Sequence, residues 1–450
     1  MSAIKGGRIS SNLIENFEEI HKGLTRSEAI EEANRCLYCY DAPCIKACPT
    51  SIQIPKFIKK IASGNLKGSA KTILEANPVG ASCARVCPTE ELCEGACVLN
   101  HDTKPISIGH LQRYATDWAI KQKEPLFKAG ERNGKTVAII GSGPAGLSAA
   151  RELSLLGYEV TIFEAQEEAG GLNHYGIVSF RLPKEVVQWE VEQVKQLGVE
   201  IKTNTTVGAD IKAEEIIDHF DRIILAIGMG KVPNLGIEGE TLKGVCDAIE
   251  FVKQTKIKDP TDELVGKTVA VIGAGNTAID AATTAVRLGA ANVKILYRRT
   301  KNEMSAYQFE YDFAKQDGVE FRWLTAPLKI IGNEQYEVTG LECVKMALDE
   351  AGRPVPIKGS ETTIDLDVVI KAIGQTKHSE LIEAFSLNHT KGVVDVDAET
   401  YQTSQENIYA CGDCVFGNGQ TEAMVVSAAE QGKEVAKAIH RTFMLQSEIA

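Results

Sequence analysis

Two glycine-rich strand–turn–helix units and a block of cysteines predict an α/β chain: a helical N-terminal domain, then two Rossmann-like dinucleotide-binding domains, the second inserted in the first. Eight of the twelve cysteines fall between Cys36 and Cys97, and glycine turns follow short β-branched runs near residues 135 and 267. At 450 residues the chain exceeds what one hydrophobic core supports, so two to four domains are expected. Hydrophobic residues at 44% and charged residues at 24% suit a globular protein, and a net charge of −12 excludes nucleic acid or an anionic membrane as the main partner. The start, MSAIKGGRISSNLIENFEEI, has no apolar signal region, and no run of eighteen apolar residues occurs. The chain therefore reads as cytoplasmic with no membrane span, where clustered cysteines point to metal or redox groups rather than disulfides.

The elements follow in order. Residues 1–125 read as a separate helical domain, in which LTRSEAIEEANRCLYC opens with Thr25 and Glu28 as a capping box. A polar stretch, 121–135, with Pro125, Gly130 and Gly134, reads as a linker. KTVAIIGSGPAGLSAARELSLLGYEVTIFEA then opens the first nucleotide domain, 133–240, and KTVAVIGAGNTAIDAATTAVRLGAANVKILYRR lies in the second, 241–368. The late segments DVVIKAIGQTKHSE and GVVDVDAETYQTSQENIYACGDCVFG supply more strands, ahead of the helix TEAMVVSAAEQGKEVAKAIH. A nested insertion is the simplest arrangement, so 369–450 is assigned to the return of the first domain.

The cysteines carry the first chemistry. Cys36, Cys39, Cys44, Cys48 and Pro49 resemble a bacterial ferredoxin run with a longer gap before Cys44, and Cys83, Cys87-Pro88, Cys93 and Cys97 form a second group. Soft thiolates suit iron–sulfur clusters; the competing reading, structural zinc, favours paired C-x-x-C knuckles, of which this block has one. Gly141, Gly143, Pro144, Ala145 and Gly146 form a complete pyrophosphate fingerprint between strand and helix, and Glu164 ends the next strand where a ribose-hydroxyl acceptor belongs. Gly273, Gly275, Asn276, Thr277 and Ala278 form the second fingerprint. There Tyr297, Arg298 and Arg299 stand where an acid would select NAD, and the arginines suit a 2′-phosphate or are a solvated strand end. Cys411 and Cys414 could suggest a disulfide reductase but read better as packed thiols, as do the isolated Cys246 and Cys343.

With these residues assembled, the whole chain resembles the family of glutamate synthase small subunits and dihydropyrimidine dehydrogenase N-terminal parts, and in detail the NAD(P)H-oxidising subunits of bacterial dihydropyrimidine dehydrogenases. The match runs through RCLYCYDAPCIKACPT, NPVGASCARVCPTEELCEGAC, ISIGHLQRYATDW, GGLNHYGIVSFRLP and ACGDC. It implies FAD in the first nucleotide domain, with Gly171, Leu172, Gly412 and Asp413 also binding it, and NAD(P)H in the second. It further implies two [4Fe-4S] clusters, one held by Cys36, Cys39, Cys44 and Cys97, the other by Cys48, Cys87, Cys93 and the side-chain oxygen of Gln112, with Cys83 left out. The residues alone leave Gln112 open as a polar surface position. No side chain is expected to act as general acid; the flavin would convert hydride pairs into single electrons. The five-residue PTEEL gap between Cys87 and Cys93 favours the dihydropyrimidine branch over glutamate synthase small subunits, whereas the two arginines lean toward NADPH although the bacterial two-subunit enzymes are NAD-linked. Since no eightfold βα pattern is present, an FMN-containing barrel that reduces the pyrimidine is expected on a partner chain. Rivals are a stand-alone ferredoxin or disulfide reductase, and an electron-carrier scaffold with vestigial nucleotide sites.

Overall fold

A computed structural model describes residues 13–122, 125–417 and 423–449. The first twelve residues of the expected helical domain, 123–124 of the linker, and 418–422 around the start of the last helix lie outside the described residues.

Among the described residues, six α-helices make the N-terminal part: α1 (Arg26–Asn34), α2 (Pro43–Lys46), α3 (Ile54–Ala62), α4 (Leu66–Ala76), α5 (Gly80–Val86) and α6 (Ile108–Gln122). Thr25 caps α1 as its sequence predicts: its hydroxyl accepts from Glu28 N, and Thr25 N donates to the Glu28 carboxylate at 2.8 Å. On α3 the buried residues Ile54, Phe57, Ile58 and Ile61 recur at helical spacing, and this stripe meets Ile73 of α4 and Leu111 and Ala115 of α6.

The first nucleotide fold begins with β1 (Thr136–Ile140), α7 (Pro144–Leu155), β2 (Glu159–Phe163), α8 (Leu172–Tyr175), α9 (Lys184–Lys195), β3 (Glu200–Lys202), α10 (Ala213–His219) and β4 (Arg222–Leu225). The second comprises β5 (Val245–Asp247), α11 (Ala248–Ile257), β6 (Thr268–Ile272), α12 (Asn276–Arg287), β7 (Asn292–Leu296), α13 (Gln308–Gln316), β8 (Glu320–Arg322), four further strands β9 (Thr325–Gly332), β10 (Val338–Leu348), β11 (Pro354–Pro356) and β12 (Thr362–Asp365), and then β13 (Val368–Lys371). The chain returns through α14 (Ser379–Ala384), β14 (His389–Thr390), β15 (Val393–Val394), β16 (Ile408–Ala410) and α15 (Val425–Ile449).

Both principal sheets are parallel and five-stranded, in the orders β16-β4-β1-β2-β3 and β5-β13-β6-β7-β8. Because β16 pairs with β4, the first fold is split by the second, which is the predicted insertion. One strand differs from expectation. DVVIKAIG was assigned to the first fold, yet β13 lies between β5 and β6 in the second sheet, with all four residues buried. An apolar run announces a central strand but carries no label for its sheet. The expected boundary at 368/369 therefore cuts a strand.

The described residues form two compact units, one of 13–20, 175–180 and 230–376, the other of 21–122, 125–174, 181–229, 377–417 and 423–449. Residues 13–20, expected in the helical domain, belong with the second sheet. Asn16 Nδ2 donates to Arg287 O at 3.0 Å, Arg287 Nη1 donates to Asn16 O at 2.8 Å, and Phe17 meets Phe180 edge-on. The antiparallel sheet of β9–β12 was not expected. Among the described residues no helix is long and apolar enough to cross a membrane.

Candidate functional site

The cysteines sort by space differently from their order in sequence. Cys36, Cys39, Cys44 and Cys97 line one cavity, floored by Ile54 and Ile58. Cys48, Cys83, Cys87, Cys93 and Gln112 line a second, which shares Ile54 with the first. The interleaving arises because α2 carries the chain from Cys44 at the first cavity to Cys48 at the second, and the loop from Cys93 to Cys97 makes the reverse step. Tyr38, at a positive φ of 52°, bends the backbone between Cys36 and Cys39 so that both face the same space.

Neither cavity is lined by a charged side chain. Burial pushes the Cys44 thiol up to about 12 and raises Cys36, while a hydrogen bond that the Cys87 thiol makes to the neighbouring Cys83, together with burial, holds Cys87 well above the ordinary thiol range. No cationic side chain among the described residues lines either cavity, so bound iron would supply the charge that stabilises thiolates there. A single zinc at ~2.3 Å from each sulfur needs its donors pinched to one point. Among the described residues no three His, Cys, Asp or Glu side chains converge in that way. Four thiols around one cavity, and four thiols with Gln112 around the other, are the soft donor set that iron–sulfur clusters take.

Gln112 is buried, 7% exposed, rather than on the surface of α6. Its Nε2 donates to Gly80 O at 2.8 Å. With the nitrogen committed to a carbonyl acceptor, the carboxamide oxygen is the atom left for the cavity. Cys83 lines the same cavity and is also buried, and it packs with Val79 against Val191 and Val194 of α9. The structure therefore brings five donors to the second cavity.

The first glycine turn is shaped by contact with its own sheet. Gly141 has φ 102°, and a Cβ there would stand 2.4 Å from Ala226 O; one on Gly146 would stand 2.1 Å from Gly141 O. At Gly143, the N-cap of α7, a Cβ would meet no atom within 4 Å. Pro144 starts α7, with Ala145 buried behind it. The open space beside Gly143 at the N-terminus of α7 suits a pyrophosphate. Gly171, at φ 56°, abuts Gly143 so closely that a Cβ would lie 2.7 Å from its Cα, and Leu172 begins α8 beside it, partly exposed. Gly412 touches Ala145 and donates its N–H to Gln431 Oε1 at 2.6 Å, which places Asp413 by the same turn. Burial raises the Asp413 carboxyl, opposed by Lys377. Glu164 is pinned: Ser142 N and Oγ donate to Oε2 at 3.0 and 2.5 Å, and Gln166 N donates to Oε1 at 2.8 Å. Ser142 was missed at the sequence level because the glycines around it drew the reading. Cys411 and Cys414 are buried and free.

In the other unit, Gly273 (φ 128°) packs under Ala372 O, Gly275 caps α12, and Ala278 is fully buried against the sheet. Asn276 and Thr277 open α12, and the buried Asn276 Oδ1 has no hydrogen-bond partner among the described residues. Arg298 is exposed just past β7, while Arg299 beside it is half-buried with its Nε unpartnered. An orphaned acceptor at the helix start and two cations at the strand end suit a dinucleotide.

Comparison with known proteins gives matches over both parts. Residues 13–124 match the family model dihydropyrimidine dehydrogenase domain II, 4Fe-4S cluster, and 135–432 match pyridine nucleotide-disulphide oxidoreductase. The NAD-dependent dihydropyrimidine dehydrogenase subunit PreT of Salmonella typhimurium is 35% identical over 424 residues, spanning 94% of this chain and 96% of that one. The glutamate synthase [NADPH] small chain of Azospirillum brasilense is 34% identical over 95% of this chain and 91% of its own. NADP(+)-dependent formate dehydrogenase subunit beta of Moorella thermoacetica is 35% identical over 88% of this chain, but the match spans only 59% of that longer protein. Among solved structures, Mycobacterium tuberculosis FprA in complex with NADPH superposes with a TM-score of 0.56 at 18% identity, covering 70% of this chain and 86% of that one, a likeness of fold.

Proposed function

Because the chain belongs to the pyridine nucleotide-disulphide oxidoreductase family and carries a 4Fe-4S domain of the dihydropyrimidine dehydrogenase type, we propose that it is the electron-input subunit of a dihydropyrimidine dehydrogenase. On this reading it oxidises NAD(P)H and serves an FMN-containing barrel partner that reduces uracil or thymine to the 5,6-dihydropyrimidine. Bound FAD supplies acceptance of a hydride as an electron pair, and two iron–sulfur clusters supply one-electron carriage.

The chain's own residues hold and separate these functions. The α7 turn would hold the pyrophosphate of FAD, and Glu164, fixed by Ser142, would take its ribose hydroxyls. Cys36, Cys39, Cys44 and Cys97 form one donor set; Cys48, Cys87, Cys93 and Gln112 form the other. Apolar side chains make up most of the rest of both linings. The carrying observation is the position of the cavities: the second is lined by Val426 at the start of α15 and by Cys83 in the flavin-fold core, and the first lies beyond Ile54. That order supports a path from the flavin fold outward.

Anaerobically purified protein is expected to contain about eight irons, about eight labile sulfides and one FAD per chain, the content of two such clusters. Iron and sulfide assay with flavin extraction checks this, and stoichiometric zinc with little iron would sink it. The glutamate synthase reading is supported by nearly equal identity, and the PTEEL spacing favours the pyrimidine branch.

Arg298 and Arg299 support use of NADPH. Replacing both with alanine is expected to raise KM for NADPH by roughly 10- to 150-fold, the equivalent of about 1.5–3 kcal/mol for hydrogen bonds to a charged group, with little change for NADH. Equal losses with both nucleotides would assign the arginines to pyrophosphate or structure.

A further inference from the structure

Helix α9 reads as amphipathic, with Val186, Val187, Val191 and Val194 on its buried face, yet Glu190 occupies that same face and is only 1% exposed. A carboxylate at a core position is costly unless it is fully engaged. Its partners lie on another element. Oε1 accepts from Ala81 N at 2.9 Å and Ser82 N at 2.8 Å, and Oε2 accepts from Ser82 Oγ at 2.5 Å. These are the amides of the second and third residues of α5, whose preceding residue, Val79, offers no side-chain cap. Glu190 therefore does for α5, from a distant helix, what an N-cap side chain normally does locally. Burial pushes its carboxyl up to about 7.

The next contact in line reaches the second cavity. Gly80, the first residue of α5, presents the carbonyl to which Gln112 Nε2 donates, and Cys83, one turn on, lines the cavity itself. Arg85 of α5 also pairs with Asp117 of α6 at 2.6 Å, joining the helix to the one that carries Gln112. We propose that Glu190 is a positioning residue for the second cavity: by gripping the α5 amides it sets Gly80 O, which turns the Gln112 oxygen toward Cys48, Cys87 and Cys93. This rests on the reading in which Gln112 is a cluster donor. Outer partners of this kind orient inner ligands and tune the metal group they hold.

The test uses the anaerobic holoprotein, with paramagnetic resonance of the reduced clusters, redox titration, iron assay and flavin content as readouts. Glu190→Ala is expected to shift the signal and midpoint potential of one cluster, the same one that Gln112→Ala shifts, leaving the other cluster and the FAD content unchanged. Glu190→Gln is expected to keep the native signal, because its carbonyl oxygen can accept both amides and its amide can donate to Ser82 Oγ. If Glu190→Ala changes neither cluster while Gln112→Ala changes one, positioning is overturned and ligation stands. If Gln112→Ala also changes nothing, both fall. Loss of both clusters together in Glu190→Ala would mark general support of the fold and overturn the inference. Should that variant not accumulate, Ser82→Ala removes one contact alone, and a shift confined to the Gln112-sensitive cluster supports the inference while no shift overturns it.

Discussion

Substituting Cys48→Ser is expected to stop pyrimidine reduction by the reconstituted two-subunit enzyme while leaving NAD(P)H-driven reduction of an artificial dye within about twofold of wild type. Cys48 belongs in sequence to the first cysteine group but lines the second cavity, next to the flavin fold. Serine offers a harder, far less acidic oxygen, a poor donor for iron–sulfur chemistry. Even outer partners of metal ligands cost about 10–100-fold when changed, so removing a donor is expected to lower coupled activity by roughly 100-fold or more. The nucleotide turns are built from residues of β1–α7 and β6–α12, none of which lines the second cavity, so hydride transfer should continue. Cys83→Ser, at the position left out of the ligand set, should keep both clusters. The comparison needs an FMN-containing barrel subunit, uracil as substrate and a dye assay in parallel. Undiminished coupled activity in Cys48→Ser would remove the second cavity from the route. Uracil reduction by the isolated chain would overturn the two-subunit reading, and glutamate formation with a glutamine-amidotransferase large subunit would place the chain in the other branch.

What the sequence made legible was mostly local. Thr25 and Glu28 cap α1 because a capping box needs only four residues, and both glycine turns lie between strand and helix because their constraints act within one βαβ unit. Assignments that depend on distant pairing were harder. β13 and β16 both read as apolar strands, but only the structure places one in each sheet. Residues 13–20 carry no mark of their docking on Arg287, which lies more than 250 positions away. The residues alone leave Gln112 open as a polar surface position, and only the resemblance gives it a ligand's role; in the fold it is buried, with Nε2 donating to Gly80 O. Glu190 left a signal that could have been read: a charge on the valine face of an amphipathic helix implies a buried partner. The partner's identity, the amides of α5, is a matter of tertiary packing alone.

The glycines of the first turn separate what the fold needs from what its ligand needs, and a pair of variants makes the separation measurable. Gly146 is demanded by the chain itself, since a Cβ would fall 2.1 Å from Gly141 O; Gly146→Val is expected to destabilise the fold by about 3 kcal/mol or more. Gly143 is different. Its φ of −65° and ψ of −179° are open to any residue, and a Cβ would touch nothing within 4 Å. No feature of the folded chain requires glycine there, so the requirement comes from a group that must approach the backbone closely, as a pyrophosphate does at a helix N-terminus. Gly143→Val is therefore expected to fold with nearly native thermal stability and full iron content, yet to bind FAD more weakly. Crowding of about 1–3 kcal/mol corresponds to roughly a 5- to 150-fold rise in Kd. Flavin retained after desalting, with melting temperature and iron measured on the same sample, reads the three quantities apart. Full flavin retention in Gly143→Val would show that the cofactor does not use this cradle, whereas joint loss of flavin and stability would show that the turn needs this glycine for its own packing.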